Sequence, residues 1–305
     1  SMIKININNE TAPLRVVIVG IANDFGDAPT IEECYDPKSK EHVEKGIFPN
    51  QKDCILAMDS LMQVFDKHRV TVYRPKNIKG LNQIFSRDIA FVIEDKLVLP
   101  NIIEERRKEV DAISDVLNQI NKLDKIKMPE DARVEGGDVV LCNEYIFVGY
   151  SEKEDFERYR VARTNRAGLD FLSKTFLNKK VKGLELKKSD HDARENALHL
   201  DCCFQPIGTD MAILYKGGFK NSADFNFLID YFGKDNIIEV SREEMYNMNP
   251  NVFSISEKII ISEKGFSRLN SELRKRGFIV EEVSYAEIAK MSGLFRCSTM
   301  PLIRQ

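Results

Sequence analysis

A set of polar residues recurs at one kind of position along this chain and ends in a cysteine near the C-terminus. They are Asp88 in Phe85-Ser86-Arg87-Asp88, Glu135 and Asp138 in Glu135-Gly136-Gly137-Asp138, His199 and Asp201 in His199-Leu200-Asp201, and Cys297 in Arg296-Cys297-Ser298-Thr299. Covalent catalysis by sulfur needs a thiolate, an acid–base partner within reach and a group that orients the partner. Cys297, His199 and Glu135 supply those three types. Asp88 and Asp201 remain, and two carboxylates beside a thiol repel its thiolate unless a cation lies between them. This points to a cationic substrate. A planar guanidinium satisfies both carboxylates with paired charge-assisted hydrogen bonds and presents an electrophilic carbon to the sulfur.

Each residue also has a plainer reading. A cysteine near a C-terminus is more often a small buried hydrophobe, and Gly136-Gly137 reads equally well as a tight turn. His42, His68 and His191 lie in helix-like or polar stretches and read as solvated. Cys202 and Cys203 alternate faces of a strand, so at least one reads as core. A zinc site built from His199, Asp201 and nearby thiols finds no C-x-x-C or H-x-x-x-H spacing to support it, and no metal is expected. The catalytic reading is carried by the joint occurrence of these types at equivalent positions.

The elements that position them form a repeat. Residues 89–93 and 96–99, 139–141 and 145–148, 202–207 and 211–215, and 252–255 and 259–262 are paired β-branched or aromatic runs around short polar turns, the pattern of hairpins. Apolar residues at three- and four-residue intervals predict helices over 103–120, 164–176, 223–232 and 266–276. Lone strands follow at 181–186, 237–240 and 278–283. The repeating unit is hairpin, helix, strand, with a period of roughly fifty to sixty residues, which signals a repeat architecture. Pairing of 14–20 with 299–303 supplies the missing hairpin, closes a ring and brings the mouths to one axis.

A chain of 305 residues with no linker or low-complexity tract reads as one domain spanning 1–305, with Ser1-Met2 as a tag remnant. The formal net charge of −3 is too balanced for a nucleic-acid partner. The mixed run Glu104-Glu105-Arg106-Arg107-Lys108-Glu109 reads as a solvated face. Residues 16–22 form the one early apolar run, too short to span a membrane. Six cysteines without framework spacing indicate reduced thiols and a cytoplasmic location.

Together these residues resemble the guanidino-group-modifying superfamily of arginine deiminases, dimethylarginine dimethylaminohydrolases and amidinotransferases, over essentially the whole chain. The resemblance implies an α/β five-bladed β/α-propeller, or pentein, with pseudo-fivefold symmetry. It also implies Cys297 as nucleophile, His199 as general acid and base, Glu135 as orienting carboxylate, and Asp88 with Asp201 as guanidinium cradle. Asp138, in the same motif as Glu135, joins the expected substrate-binding set. Asn82 matches a substrate-contacting asparagine of the deiminases, and Arg163 in Ala162-Arg163-Thr164-Asn165 matches an arginine that clamps a substrate α-carboxylate. Bacterial deiminases carry a helical insertion that this chain lacks. Dimethylarginine hydrolases commonly lack the aspartate standing at Asp201, which favours an unmethylated guanidinium. The implied activity is cysteine-dependent hydrolysis of arginine or a close derivative through a thiouronium adduct, without cofactor and on a small-molecule partner. An amidinotransferase, or a non-catalytic scaffold like the translation initiation factor of this fold, is the alternative.

Overall fold

The structure, a computed structural model, describes residues 2–305. Its strands run β1 (Leu14–Val19), β2 (Thr71–Tyr73), β3 (Phe91–Ile93), β4 (Lys96–Leu99), β5 (Lys125–Lys127), β6 (Val139–Cys142), β7 (Tyr145–Tyr150) and β8 (Lys180–Glu185). They continue through β9 (Phe204–Ile207), β10 (Met211–Leu214), β11 (Ile237–Glu239), β12 (Phe253–Ser254), β13 (Ile259–Glu263), β14 (Ile279–Val283) and β15 (Thr299–Arg304). They form five three-stranded sheets of one internal order: an antiparallel pair whose second strand is joined by a parallel third. The sheet at the termini obeys the rule, with β15 antiparallel and β2 parallel to β1. Val17, Ile18 and Val19 are all fully buried, so this central strand reads as an unbroken apolar run rather than an alternation.

The connecting helices follow their apolar stripes. Residues 164–176 contain the helix Arg166–Thr175, entered through Asn165, whose side chain accepts from the Gly168 amide. Helices Ser222–Phe232 and Ser267–Lys275 occupy the other expected stretches. The single helix expected over 103–120 is instead a 3-10 turn at Glu104–Arg106 and two short helices, Arg107–Asp111 and Ser114–Leu117. At the break the Ile113 amide donates to Val110 O, a tighter turn where β-branched and short polar residues alternate. Two helices beyond the expected set precede β2: α1 (Pro37–Glu44) and α2 (Gln51–Lys67). Asn50 caps α2, which buries Cys54, Ala57, Met58, Leu61 and Phe65 along one stripe.

The hairpin mouths are joined in a circuit. The Gly137 amide donates to Asp88 Oδ1 (2.8 Å), the Leu200 amide to Asp138 Oδ1 (3.0 Å), and Asn251 Nδ2 to Asp201 O (3.1 Å). The Cys297 amide donates to Asn251 Oδ1 (3.1 Å), and the Arg87 amide returns to Cys297 O (3.1 Å). Each mouth is therefore held by its neighbour, and residues two hundred positions apart are fixed around one centre. No helix among the described residues is long and apolar enough to cross a membrane.

Candidate active site

Asp88, Gly136–Asp138 and Asp201 all sit in 3-10 turns at hairpin entrances, which aim side chains inward before the strand begins. Glycine is required here by close approach: a Cβ on Gly137 would lie 2.7 Å from His199 Cγ and 2.8 Å from Asp88 Oδ1. The mouths surround the floor of a cavity of about 640 Å³ that Asp88, His199, Cys297, Asn82 and Arg163 line. Glu135 and Asp201 stand directly behind that lining.

His199 Nε2 lies 2.7 Å from Glu135 Oε1 and 3.8 Å from Asp88 Oδ1. Burial opposes the ring's charge, yet Asp88, the Glu135 hydrogen bond and Asp138 outweigh it and raise the imidazole to about 10. Glu135 is correspondingly held down at about 2, because Arg163 and His199 overcome the cost of burial. His199 Nδ1 is buried without any protein partner. Cys297 Sγ lies 3.9 and 3.8 Å from the two Asp201 oxygens. Its hydrogen bond with Cys202, then burial and Asp201, push the thiol well above its ordinary range. The free site thus pairs an imidazolium with a neutral thiol.

Neither carboxylate of the expected cradle is bare. Arg106 Nη1 donates to Asp88 Oδ2 (2.8 Å) while the rest of its guanidinium grips Glu109 and the Phe85 carbonyl. Arg296 Nη1 donates to Asp201 Oδ2 (2.9 Å) and its other nitrogens hold Glu10 and Val139 O. The solvated face expected at 104–109 is corrected in part: Glu104, Glu105, Arg107 and Lys108 are exposed, but Arg106 and Glu109 are buried, and burial raises the Glu109 carboxyl against the pull of Arg106. His42 is also buried, its Nδ1 2.8 Å from Lys38 O, whereas His68 pairs with Glu281.

Of two expected substrate contacts, Asp138 lies outside the cavity lining and Arg163 lies in it. Asp138 accepts from Thr164 Oγ1 (2.6 Å) and the Leu200 amide, so both oxygens brace the site rather than face the cavity. Arg163 donates to Glu135 Oε1 (3.1 Å), Tyr35 O (2.9 Å) and Arg160 O (3.2 Å), and its side chain is 1% exposed. It thus pairs with the Glu135 carboxylate while lining the cavity. Asn82 lines the cavity with Oδ1 on the Ile84 amide. Asn251, which opens the fourth hairpin expected from the sequence but was not among the expected site residues, accepts from the amides of both Leu294 and Cys297. Asp88, Glu135 and His199 place three potential ligand atoms within 4.8 Å of one another. Those atoms are already joined to each other and to Arg106, Arg163 and Gly137 N–H, forming one ion-paired cluster.

The family described as N,N dimethylarginine dimethylhydrolase, eukaryotic, matches residues 35–304. The chain belongs to this family. It is therefore an enzyme of the guanidino-modifying superfamily, whose members are carbon–nitrogen hydrolases and amidinotransferases. It is 31% identical over 245 residues to the uncharacterized protein YkgA of Bacillus subtilis, covering 80% of this chain and 78% of that one. It is 24% identical to the arginine deiminase of Listeria welshimeri over 73% of this chain, and spans 62% of the deiminase's length. Among solved structures, the amidinotransferase SxtG of Microseira wollei superposes with a TM-score of 0.76 at 19% identity, covering 99% of this chain and 98% of that one. The N-terminal domain of ArgZ, an arginine dihydrolase of cyanobacteria, superposes with a TM-score of 0.77 at 20% identity, over 95% and 98% of the two chains. These superpositions establish a shared fold.

Proposed function

We propose that the enzyme is a cysteine-dependent hydrolase of guanidino compounds, arginine or a close derivative, working at the centre of a five-bladed β/α-propeller whose closure the circuit of hairpin mouths supports. The observation that carries this reading is the His199 imidazolium, fixed by Glu135 and Asp88 in one cavity wall with the Cys297 thiol.

A guanidinium entering between Asp88 and the sulfur brings positive charge to a thiol that burial and Asp201 keep protonated. The thiol then loses its proton to solvent in the cavity, since His199 is already protonated, and the thiolate adds to the guanidinium carbon. His199, whose Nδ1–H has no protein acceptor, gives its proton to the departing amine, and carbon–nitrogen cleavage leaves a thiouronium on Cys297. The neutral imidazole next takes a proton from water, and the hydroxide adds to the same carbon. Collapse expels the thiolate, which takes up the hydroxyl proton of the adduct to restore the thiol, and releases a neutral ureido product. Glu135, itself held by Arg163, keeps the ring oriented throughout.

The test is a panel of guanidino compounds with mass-spectrometric identification of products. A ureido product supports hydrolysis. Transfer of the amidino group to an added amine identifies a transferase, and unchanged substrates throughout overturn the catalytic reading.

A further inference from the structure

A chain of buried charges leads from Cys297 to a residue that the mechanism above leaves unused. Arg296, fully buried, divides its guanidinium between two carboxylates. Its Nη1 donates to Asp201 Oδ2 (2.9 Å), its Nε to Glu10 Oε1 (2.9 Å) and its Nη2 to Glu10 Oε2 (3.2 Å). The same Asp201 oxygen lies 3.8 Å from Cys297 Sγ, so one atom meets both the guanidinium and the thiol. Glu10 belongs to the segment ahead of β1, is 6% exposed and stands outside the cavity lining. It also accepts from the Leu141 amide in β6 (3.2 Å) and Gln205 Nε2 in β9 (3.4 Å), and the segment is fixed further by Arg304 Nη1, which donates to Ala12 O (2.8 Å). The charges around Glu10 do not balance. Arg87 and Arg304 are buried with carbonyl and hydroxyl acceptors and pair with no carboxylate among the described residues. Three guanidinium groups, those of Arg87, Arg296 and Arg304, therefore act on Glu10, and of the three only Arg296 also donates to Asp201.

We propose that Glu10 is a positioning residue for the nucleophile: by engaging two nitrogens of Arg296 it leaves Asp201 incompletely neutralised, and Asp201 turns the remaining charge on Cys297 and on the cation that binds beside it. A buried carboxylate whose cation is shared acts on its neighbours more strongly than one fully paired. Removing the Glu10 charge takes an anion away and gives the whole guanidinium to Asp201. Both changes make the thiol easier to ionise and the site less attractive to a cation. Asp88 and Cys202, which also raise the thiol, and His199 in the same cavity lining are untouched by the substitution. The effect on a bound cation rests on the guanidino reading above, and the effect on the free thiol does not.

Alkylation of Cys297 by iodoacetamide in the free enzyme, read across pH by mass spectrometry of its peptide, measures the thiol without substrate. In Glu10→Gln the titration should move down by about half a pH unit or more, so that alkylation well below it quickens at least about threefold. Glu10→Asp keeps the charge on a shorter side chain; it should lose stability in urea while its alkylation profile stays with the native one. With a guanidino substrate, Glu10→Gln should raise KM about threefold or more, and change KM more than kcat, because the cation meets less negative charge. An unmoved alkylation profile in Glu10→Gln, or an equal shift in Glu10→Asp, overturns the proposal, since the residue then serves only to pack its surroundings. If the profile moves as expected and the native enzyme converts no guanidino compound, the hydrolytic reading fails and the action of Glu10 on the thiol stands.

Discussion

Replacing Glu135 by glutamine removes the charge that orients His199 while keeping the side chain's shape. In the native site the imidazole sits at about 10 against an ordinary 6.5, a gap of about 5 kcal/mol in favour of the imidazolium. Asp88, at 3.8 Å, is the largest source of that preference and survives the change; the Glu135 hydrogen bond at 2.7 Å does not. The remaining effect of Asp88 should hold the ring above 6.5, but at least about one pH unit below its native position, since a charge-assisted hydrogen bond is worth about 1.5–3 kcal/mol. Turnover should fall on the order of 10²- to 10⁴-fold, the usual contribution of general acid–base catalysis. The readouts are the imidazole NMR titration of free enzyme and the alkaline limb of the kcat/KM profile. Both should move down together in Glu135→Gln. An unmoved imidazole titration, with turnover within threefold of native, refutes the orienting role proposed for Glu135.

Three further outcomes follow from the same geometry. Cys297→Ala should keep its fold by circular dichroism and lose turnover by about 10⁶, the scale of deleting a covalent nucleophile. Arg106→Met leaves Asp88 and Glu109 buried without their cation, so denaturant unfolding should show about 3–5 kcal/mol of lost stability. Glu10 and Glu135 are both held at about 2 in the fold, so their stabilisation is complete above about 4.5 and fades as pH falls from there towards 2. The urea midpoint should drop across that window, and by less in Glu10→Gln, whose partner Arg296 no longer gains from the charge.

The hairpins, three of the four expected helices and the converging carboxylates, imidazole and thiol were legible because periodicity and turn chemistry are local signals. The circuit was half legible: Asp88, Asp138, Asp201 and Cys297 stood out by chemical type, while Asn251 marked the equivalent hairpin start but was left out of the site because an asparagine suggests no chemistry alone. Helix α2 carried an Asn50 cap and a stripe from Cys54 to Phe65, and both signals went unused. The arginines behind the cradle were hidden for a physical reason. Arg106 sits in a charge run indistinguishable from a solvated helix face, and only the break at Ala112-Ile113 and its bond to Asp88 show that it points inward. The same pairing weakens the argument that two bare carboxylates demand a cation between them, because Arg106 and Arg296 already answer Asp88 and Asp201.

The central claim is covalent chemistry at Cys297, one of six buried free cysteines. Rapid acid quench of the enzyme turning over a guanidino substrate, followed by digestion and mass spectrometry, reads it directly. The account predicts an amidino adduct on the peptide containing Cys297, absent in Cys297→Ala and decaying at the rate of product release. Sustained turnover with Cys297 unmodified at every quench time, or with the adduct on Cys202, would contradict it.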